Sequence, residues 1–355
     1  MYKTCIILCA TALTLSLHPS LSYSAVPEDT LPNAPAGHLQ PRYTVTDLGD
    51  LGGKMSIALS INDKGQIVGG SRSASGRSHG FLWENGKITD LGVLPKTVVS
   101  MARSINNKGQ IAGESSDLHG NMFGVLWETG KMTSLGPLGG EYGTVAMIND
   151  HGVIVGQRHK SKTERCGFVW TKGLIADSDT LSGDCLNAKA INDAGLVLGE
   201  APAGPGDNQD RKSFLWDHGK VIDLAAFQAL CLNNKGQIAG QMTDTKAGST
   251  PAVWEAGKVR PLPSLKTIRS AVSGINDRGD IVGWADLPSG ADGKDIVTHA
   301  LLWQGNQCID LNERVDSTEG WTIETAEDIN SAGQIVGMGL HAGQEHAYLL
   351  TPIAP

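Results

Sequence analysis

Along most of the chain, short apolar runs alternate with tight polar turns, and the alternation repeats. "SIALSI" at 56–61 is followed by "NDKG" and then "QIVGG"; "ARSI" at 102–105 is followed by "NNKG" and then "QIAGE". Asn-x-x-Gly between two apolar runs is a hairpin signal, because Asn caps the turn with its side chain and Gly takes the left-handed conformation at its exit. A third run, about a dozen residues on, ends in Trp: "FLW" at 81–83, "VLW" at 125–127, "FVW" at 168–170, "FLW" at 214–216, "AVW" at 252–254 and "LLW" at 301–303. A second tight turn leads to a fourth run, such as "GKITDL" at 86–91. Adjacent apolar positions such as Ile67 and Val68 point to opposite sides of a strand, so these strands should be covered on both faces.

The unit recurs seven times. Its Asn stands at 62, 106, 149, 192, 233, 276 and 330, with gaps of 44, 43, 43, 41, 43 and 54. In every copy a Gly follows at plus three and another at plus seven, and plus five is Ile or Val. Four short strands per period of about 43 residues predict a propeller blade. The expected fold is therefore all-β, a seven-bladed β-propeller of four-stranded antiparallel blades. The last copy ends at "HAYLLTPIAP" without a fourth strand, whereas "YTVTDLG" at 43–49 matches "GKITDLG" at 86–92. The surplus N-terminal strand is expected to complete the last blade and close the ring, which removes free sheet edges.

The phrase IN-x-x-GQ-hydrophobic-x-G, with "HGFLW" at 79–83, "HALLW" at 299–303, "HAY" at 346–348, "LGDLGG" at 48–53 and "LGPLGG" at 135–140, resembles the HAF-type extracellular repeat family. The resemblance spans 43–350. It implies an exported bacterial β-repeat protein and no particular activity. The His is missing from four blades, so it is no uniform catalytic element.

The start of the chain agrees with export. Lys3, the apolar "CIILCATALTLSL" and the small-residue "HPSLSYSA" read as a signal peptide over 1–24, followed by a Pro-rich leader over 25–41 and the propeller over 42–355. The expected location is periplasmic or extracellular. Net charge is −8 and no Lys/Arg run occurs, which argues against nucleic acid and anionic membranes as partners. No second long apolar run follows, so no membrane insertion is expected. Beyond the signal lie Cys166, Cys185, Cys231 and Cys308, with no Cys-x-x-Cys. Cys166 and Cys185 fall near the same face of neighbouring blades and form a plausible disulfide; Cys231 and Cys308 should stay apart.

Blade topology separates two faces. Turns from strand one to two and three to four are short and uniform. Turns from two to three, and from four to the next blade, vary in length and chemistry, and variable loops on a rigid scaffold are where binding and catalysis usually sit. Five aromatics fit no repeat position: Phe123, Tyr142, Phe227, Trp284 and Trp321. All fall on the variable side, with Trp321 in the one oversized repeat. Tyr142, Phe227, Trp284 and Trp321 are thus candidates for a stacking platform, the alternative being loops that pack on themselves. Three residues before the repeat Asn, charges stand on inner strands at Arg103, Lys189 and Glu327, with Asp328 beside the last. They are candidates to hold a polar ligand in the channel, or simply pair. His159 lies in a small basic stretch, 158–165, on the variable side. No nucleophile elbow, zinc-helix or phosphate-loop motif occurs. His341, Glu345 and His346 lack helical metal-site spacing, and no metal or cofactor is expected. The reading is a monomeric binding module for a glycan or protein surface. Its rival is a propeller enzyme, a hydrolase or lyase on glycans or small esters, using Arg103, Lys189, Glu327 and His159.

Overall fold

The computed structural model describes residues 41–139, 143–159, 165–177, 187–202, 211–225, 227–242, 250–265, 267–289, 295–316 and 320–353. The segments read as signal peptide, 1–24, and as leader, 25–41, lie outside the described residues except for position 41. Seven four-stranded antiparallel sheets follow one another around a ring. Blade 1 is built from Gly52–Ile61, Ile67–Ser73, Ser78–Glu84 and Lys87–Asp90. Blades 2 to 6 repeat that order. Blade 7 takes three strands from the C-terminus, Trp321–Ile329, Ile335–His341 and Gln344–Pro352, and its outermost from the N-terminus, Tyr43–Asp47, antiparallel to the last. The blade count and the closure are those expected from the repeat.

The two repeat glycines have different physical reasons. At plus three, Gly65 and Gly109 have φ of 75° and 80°, the left-handed turn exit. At plus seven the reason is a bulge. Every inner strand carries an extra residue just before the repeat turn, with register shifts at 58/60, 102/104, 145/147, 188/190, 229/231, 272/274 and 326/328. The unpaired residue is always the one three before the Asn. The bulge throws the preceding carbonyl inward, onto the plus-seven position. A Cβ on Gly69, Gly113 or Gly283 would stand 2.0 Å from the carbonyl oxygen of Ile57, Met101 or Ala271.

The repeat Asn does more than cap its turn. Its Oδ1 accepts the N–H groups two and four residues on, as in Lys64 and Gln66 on Asn62 at 3.1 and 3.0 Å. Its Nδ2 reaches the next blade. Asn62 donates to the carbonyl of Asn106 at 3.0 Å, Asn106 to Asn149 at 2.9 Å, and Asn149 to Asn192 at 3.0 Å. The chain of bonds continues from Asn192 to Asn233, from Asn233 to Asn276 and from Asn276 to Asn330. Asn330 returns to Asn62 at 3.1 Å. Seven buried amides thus form a closed belt. A parallel belt joins neighbouring residues: Asp63 N–H donates to Asn107 Oδ1, Asn107 N–H to Asp150 Oδ1 and Ser331 N–H to Asp63 Oδ1. The blade tryptophans bridge blades too, with Trp127 Nε1 donating to Leu91 O at 3.0 Å and Trp303 Nε1 to Pro263 O at 2.8 Å.

The extra length of the oversized repeat clasps the closing strand. After a 3₁₀ turn at Leu311–Glu313, Tyr43 N–H donates to the Arg314 carbonyl at 2.9 Å and Asp316 N–H to the Tyr43 carbonyl at 3.1 Å. Arg42 pairs with Asp316. The Asn312 side chain both donates to and accepts from the backbone of Ile323, at 2.9 and 2.8 Å. The insertion read as a candidate binding loop is therefore part of the ring lock.

Candidate functional site

The seven bulge residues are the inner-strand positions singled out by sequence, and two of the three charges among them are neutralised within their own blades. Arg103 Nη2 lies 2.6 Å from Glu114 Oε1, and Lys189 pairs with Glu200. Glu114 and Glu200 occupy the same place in their repeats, eight residues after the Asn. Arg103 and Lys189 are thus held across a blade, which does not support the ligand-holding role. Asp328 is bound by backbone: Oδ2 accepts Ile61 N–H of the next blade at 3.0 Å and Oδ1 accepts Ile329 N–H at 2.8 Å. In blades 1 and 2 a serine serves that position, Ser60 Oγ accepting Ile105 N–H and Ser104 Oγ accepting Ile148 N–H.

Burial pushes the Asp328 carboxyl up to about 6, against the pull of the Ile61 and Ile329 N–H groups and Ser60. Burial raises Glu327 as well, with Asp328 adding to the effect. A carboxyl whose folded pKa exceeds its unfolded value binds more protons when folded, so stability falls as pH rises through this window. We expect Asp328→Ser, which keeps a backbone acceptor and removes the charge, to be more stable than the parent at pH 8 by up to about 3 kcal/mol. The difference should shrink toward pH 4. Urea midpoints at both pH values check this; an equal difference at each would refute it.

The stacking platform is corrected by burial. Phe227 is 2 % exposed and belongs to the core between blades 4 and 5, and Trp321 is 7 % exposed in the core of the closing blade. Both positions begin inner strands, where a large ring fills the space between blades. Phe123 packs partly buried against the core of blade 2. Trp284 is half-buried, with the Arg269 guanidinium 5.4 Å from its ring centroid. Tyr142 lies outside the described residues. His159 ends a strand of blade 3, its N–H bonded to Leu138 O at 2.8 Å, and neighbouring Arg158 pairs with Asp177. Cys166 is disulfide-bonded; Cys185, the partner suggested by sequence, lies outside the described residues. Cys231 and Cys308 are free, and burial pushes their thiols up to about 12 and 11.

The His that opens three of the third-strand runs pairs with a carboxylate. In the three blades that carry it, it pairs with the Asp of "DL" on the fourth strand: His79 with Asp90 at 2.8 Å, His299 with Asp310 at 2.7 Å, and His346 with Asp47 at 2.9 Å. The other carboxylate oxygen caps the following turn, as Asp90 does for Gly92 N–H and Asp47 for Gly49 N–H. The hydrogen bond to Asp310 raises His299, outweighing its burial. Burial alone would raise Asp47, but Gly49 N–H, His346 and His341 hold it below its ordinary value. His341 lacks helical metal-site spacing to His346. Strand pairing supplies what helix spacing would not. His346 sits opposite Gly339, two residues before His341, so both imidazoles share one face of the hairpin.

Two clefts stand out among the described residues. One, of about 150 Å³, lies at the channel mouth inside the Asn belt and is ringed by Asp63, Asp150, Asp193 and Asp277. Each of these carboxylates already accepts a neighbouring blade's N–H, so the uniform face is a structural girdle. The other, of about 350 Å³, lies beside blade 6 toward the variable face. Leu265, Leu287, Pro288, Cys308 and Ile309 form its apolar wall and Asp310, Glu313 and Arg314 its polar one. The strands Ile281–Ser289 and Asp295–Gln304 pair to their ends, with Leu287 opposite Val297 and Pro288 opposite Ile296, which raises this wall. The Nε of Arg314 is buried without a hydrogen-bond partner among the described residues.

No protein-family model matches the chain, and no curated protein matches it either. Solved structures do. The propeller domain of the Trilobed protease from Pyrococcus furiosus, described as having an open velcro topology, is 9 % identical, with a TM-score of 0.56 over 88 % of this chain and 98 % of that one. An oligogalacturonate lyase from Vibrio parahaemolyticus is 10 % identical, with a TM-score of 0.55 over 86 % of this chain and 93 % of that one. At such identities the likeness is one of fold, and the chain is a seven-bladed β-propeller among β-propellers.

Proposed function

We propose that the chain is an exported binding module of the HAF-repeat kind, and that it takes an acidic glycan in the cleft beside blade 6. The observation that carries the reading is the pairing of an apolar wall with Arg314 in a concave site of about 350 Å³, a volume in the range of small-ligand sites. Leu265, Leu287, Pro288 and Ile309 suit the face of a sugar ring. Arg314 brings a guanidinium to the polar wall, and its Nε lacks a hydrogen-bond partner among the described residues. A carboxylate is the natural complement of a guanidinium, because it can accept two parallel N–H donors. Export is supported by the signal-like N-terminus and by the disulfide at Cys166, which persists in oxidising compartments.

The rival enzyme at the channel mouth draws no support from Arg103 and Lys189, which are engaged within their blades. The test is titration of the purified chain with neutral and uronic-acid oligosaccharides, alongside Arg314→Leu. The variant should lose acidic-oligosaccharide binding at least 10-fold while its Tm stays level or rises, since an unsatisfied buried donor is removed. Binding that ignores charge and survives Arg314→Leu would sink the reading. Binding of no sugar by the folded chain would redirect it to a protein surface.

A further inference from the structure

Two of the three His–Asp pairs are self-contained: His79 with Asp90 and His299 with Asp310. Blade 7 departs from that pattern. There a second imidazole, His341, reaches the same carboxylate oxygen as His346. Nδ1 of His341 lies 3.0 Å from Asp47 Oδ2, and Nδ1 of His346 lies 2.9 Å from it. One donor atom from each residue falls within 4.8 Å of the others. Blades 1 and 6 use one His each for this carboxylate. The second His of blade 7 brings an additional nitrogen to a point already occupied by a carboxylate.

We propose that Asp47, His341 and His346 form a binding site for a divalent transition-metal ion of the zinc type, with the fourth position open to water or a ligand. Ligand atoms around a tetrahedral zinc stand ~3.3 Å apart, given bonds of about 2.0–2.1 Å. The two N–O separations here are already close to that spacing. Two imidazoles and a carboxylate suit zinc, cobalt, nickel or copper, whereas calcium and magnesium take oxygen ligands. Each bound imidazole is neutral with its proton on Nε2, so an imidazolium releases its Nδ1 proton to solvent and a neutral Nδ1–H ring shifts that proton to Nε2, and Nδ1 presents its lone pair to the ion.

The surroundings hold the set in place. Gly49 N–H fixes the other oxygen of Asp47 at 2.8 Å. The Trp321 indole stacks on His341 with centroids 4.5 Å apart and planes at 8°, and meets His346 edge-on at 6.4 Å. This gives Trp321 a positioning role in place of a stacking surface for ligand. Such outer contacts orient metal ligands and tune affinity. The side chains of Asp47, His341 and His346 keep 30, 33 and 15 % exposure, enough for an ion and its fourth ligand to enter.

The ligands come from both ends of the propeller sequence: Asp47 from the closing strand, the histidines from the last two strands. An ion bound there would cross-link the ring at its closure and stabilise only the closed form.

The test uses the untagged full chain, stripped with chelator. Calorimetric titration with Zn²⁺ should give one equivalent bound, Co²⁺ should develop visible tetrahedral absorption, and Zn²⁺ should raise Tm. His341→Ala, which leaves a His–Asp pair like those of blades 1 and 6, should weaken Zn²⁺ at least ~100-fold and abolish the Tm rise. His299→Ala should leave both intact. A folded chain that takes up no stoichiometric Zn²⁺ or Co²⁺ would overturn the proposal. So would uptake that survives both His341→Ala and Asp47→Asn. The cobalt spectrum of the unaltered chain decides the matter even if a variant fails to fold.

Discussion

Asn149→Ala is expected to destabilise the propeller by about 4 kcal/mol, seen as a lower urea midpoint. The side chain makes three bonds that alanine cannot: its Oδ1 accepts His151 and Val153 N–H at 3.0 and 2.9 Å, and its Nδ2 donates to Asn192 O in the next blade at 3.0 Å. Asn149 is 5 % exposed, so water does not replace them freely. Each stranded backbone group costs roughly 1–3 kcal/mol, which sets the size of the effect. Asn149→Asp keeps the two acceptor bonds and loses only the bond between blades, so it should fall between parent and alanine variant. A shift below about 1 kcal/mol for the alanine variant would mean that the belt is geometry without energetic weight.

Gly113→Ala should cost roughly 3–5 kcal/mol, though it adds one methyl group to a strand. The new Cβ would stand 2.0 Å from Met101 O, with Ala102 Cα at 3.1 Å, both backbone atoms that cannot swing aside. Relief requires the bulge at Arg103 to move, and with it the Arg103–Glu114 pair. Gly130→Ala is the control. Gly130 has φ of 75° with nothing within 4 Å of its Cβ position, so only left-handed strain applies, about 1 kcal/mol. Thermal melts of the two variants should therefore separate clearly. If they coincide, the plus-seven glycine serves chain flexibility and not close approach.

Both predictions turn on the phrase that the sequence displays most openly. Asn-x-x-Gly at a fixed period was readable as a hairpin because turn chemistry is local. The same period counted the blades, and the match of "YTVTDLG" to "GKITDLG" located the closing strand, since a missing fourth strand and a surplus one have no other simple account.

What was not readable depended on distances across blades. The Asn looked like a cap because only its own turn is adjacent in sequence; its bond to the next blade spans 43 or 44 residues in most repeats. Phe227 and Trp321 looked like surface aromatics because they sit off the repeat pattern, yet both start inner strands and fill inter-blade space. The sequence left Arg103 and Lys189 open between ligand holding and pairing because their partners, Glu114 and Glu200, lie eleven residues on across a bulge. The blade 6 cleft draws on four separate stretches between Leu265 and Arg314 and has no contiguous signature.

By itself, then, the sequence determined the architecture. Period, turn residues and paired apolar positions are local quantities, and seven copies of them leave one way to bury every strand and no edge. Tertiary structure alone decided which polar groups meet. Asp47 and His346 are separated by 299 residues and share a hydrogen bond only because the ring closes. His341 and Trp321 join them from neighbouring strands of the same blade, where Trp321 stands opposite His341. A site assembled at the seam of a ring has no expression in the order of the residues, because the seam is where the two ends of that order meet.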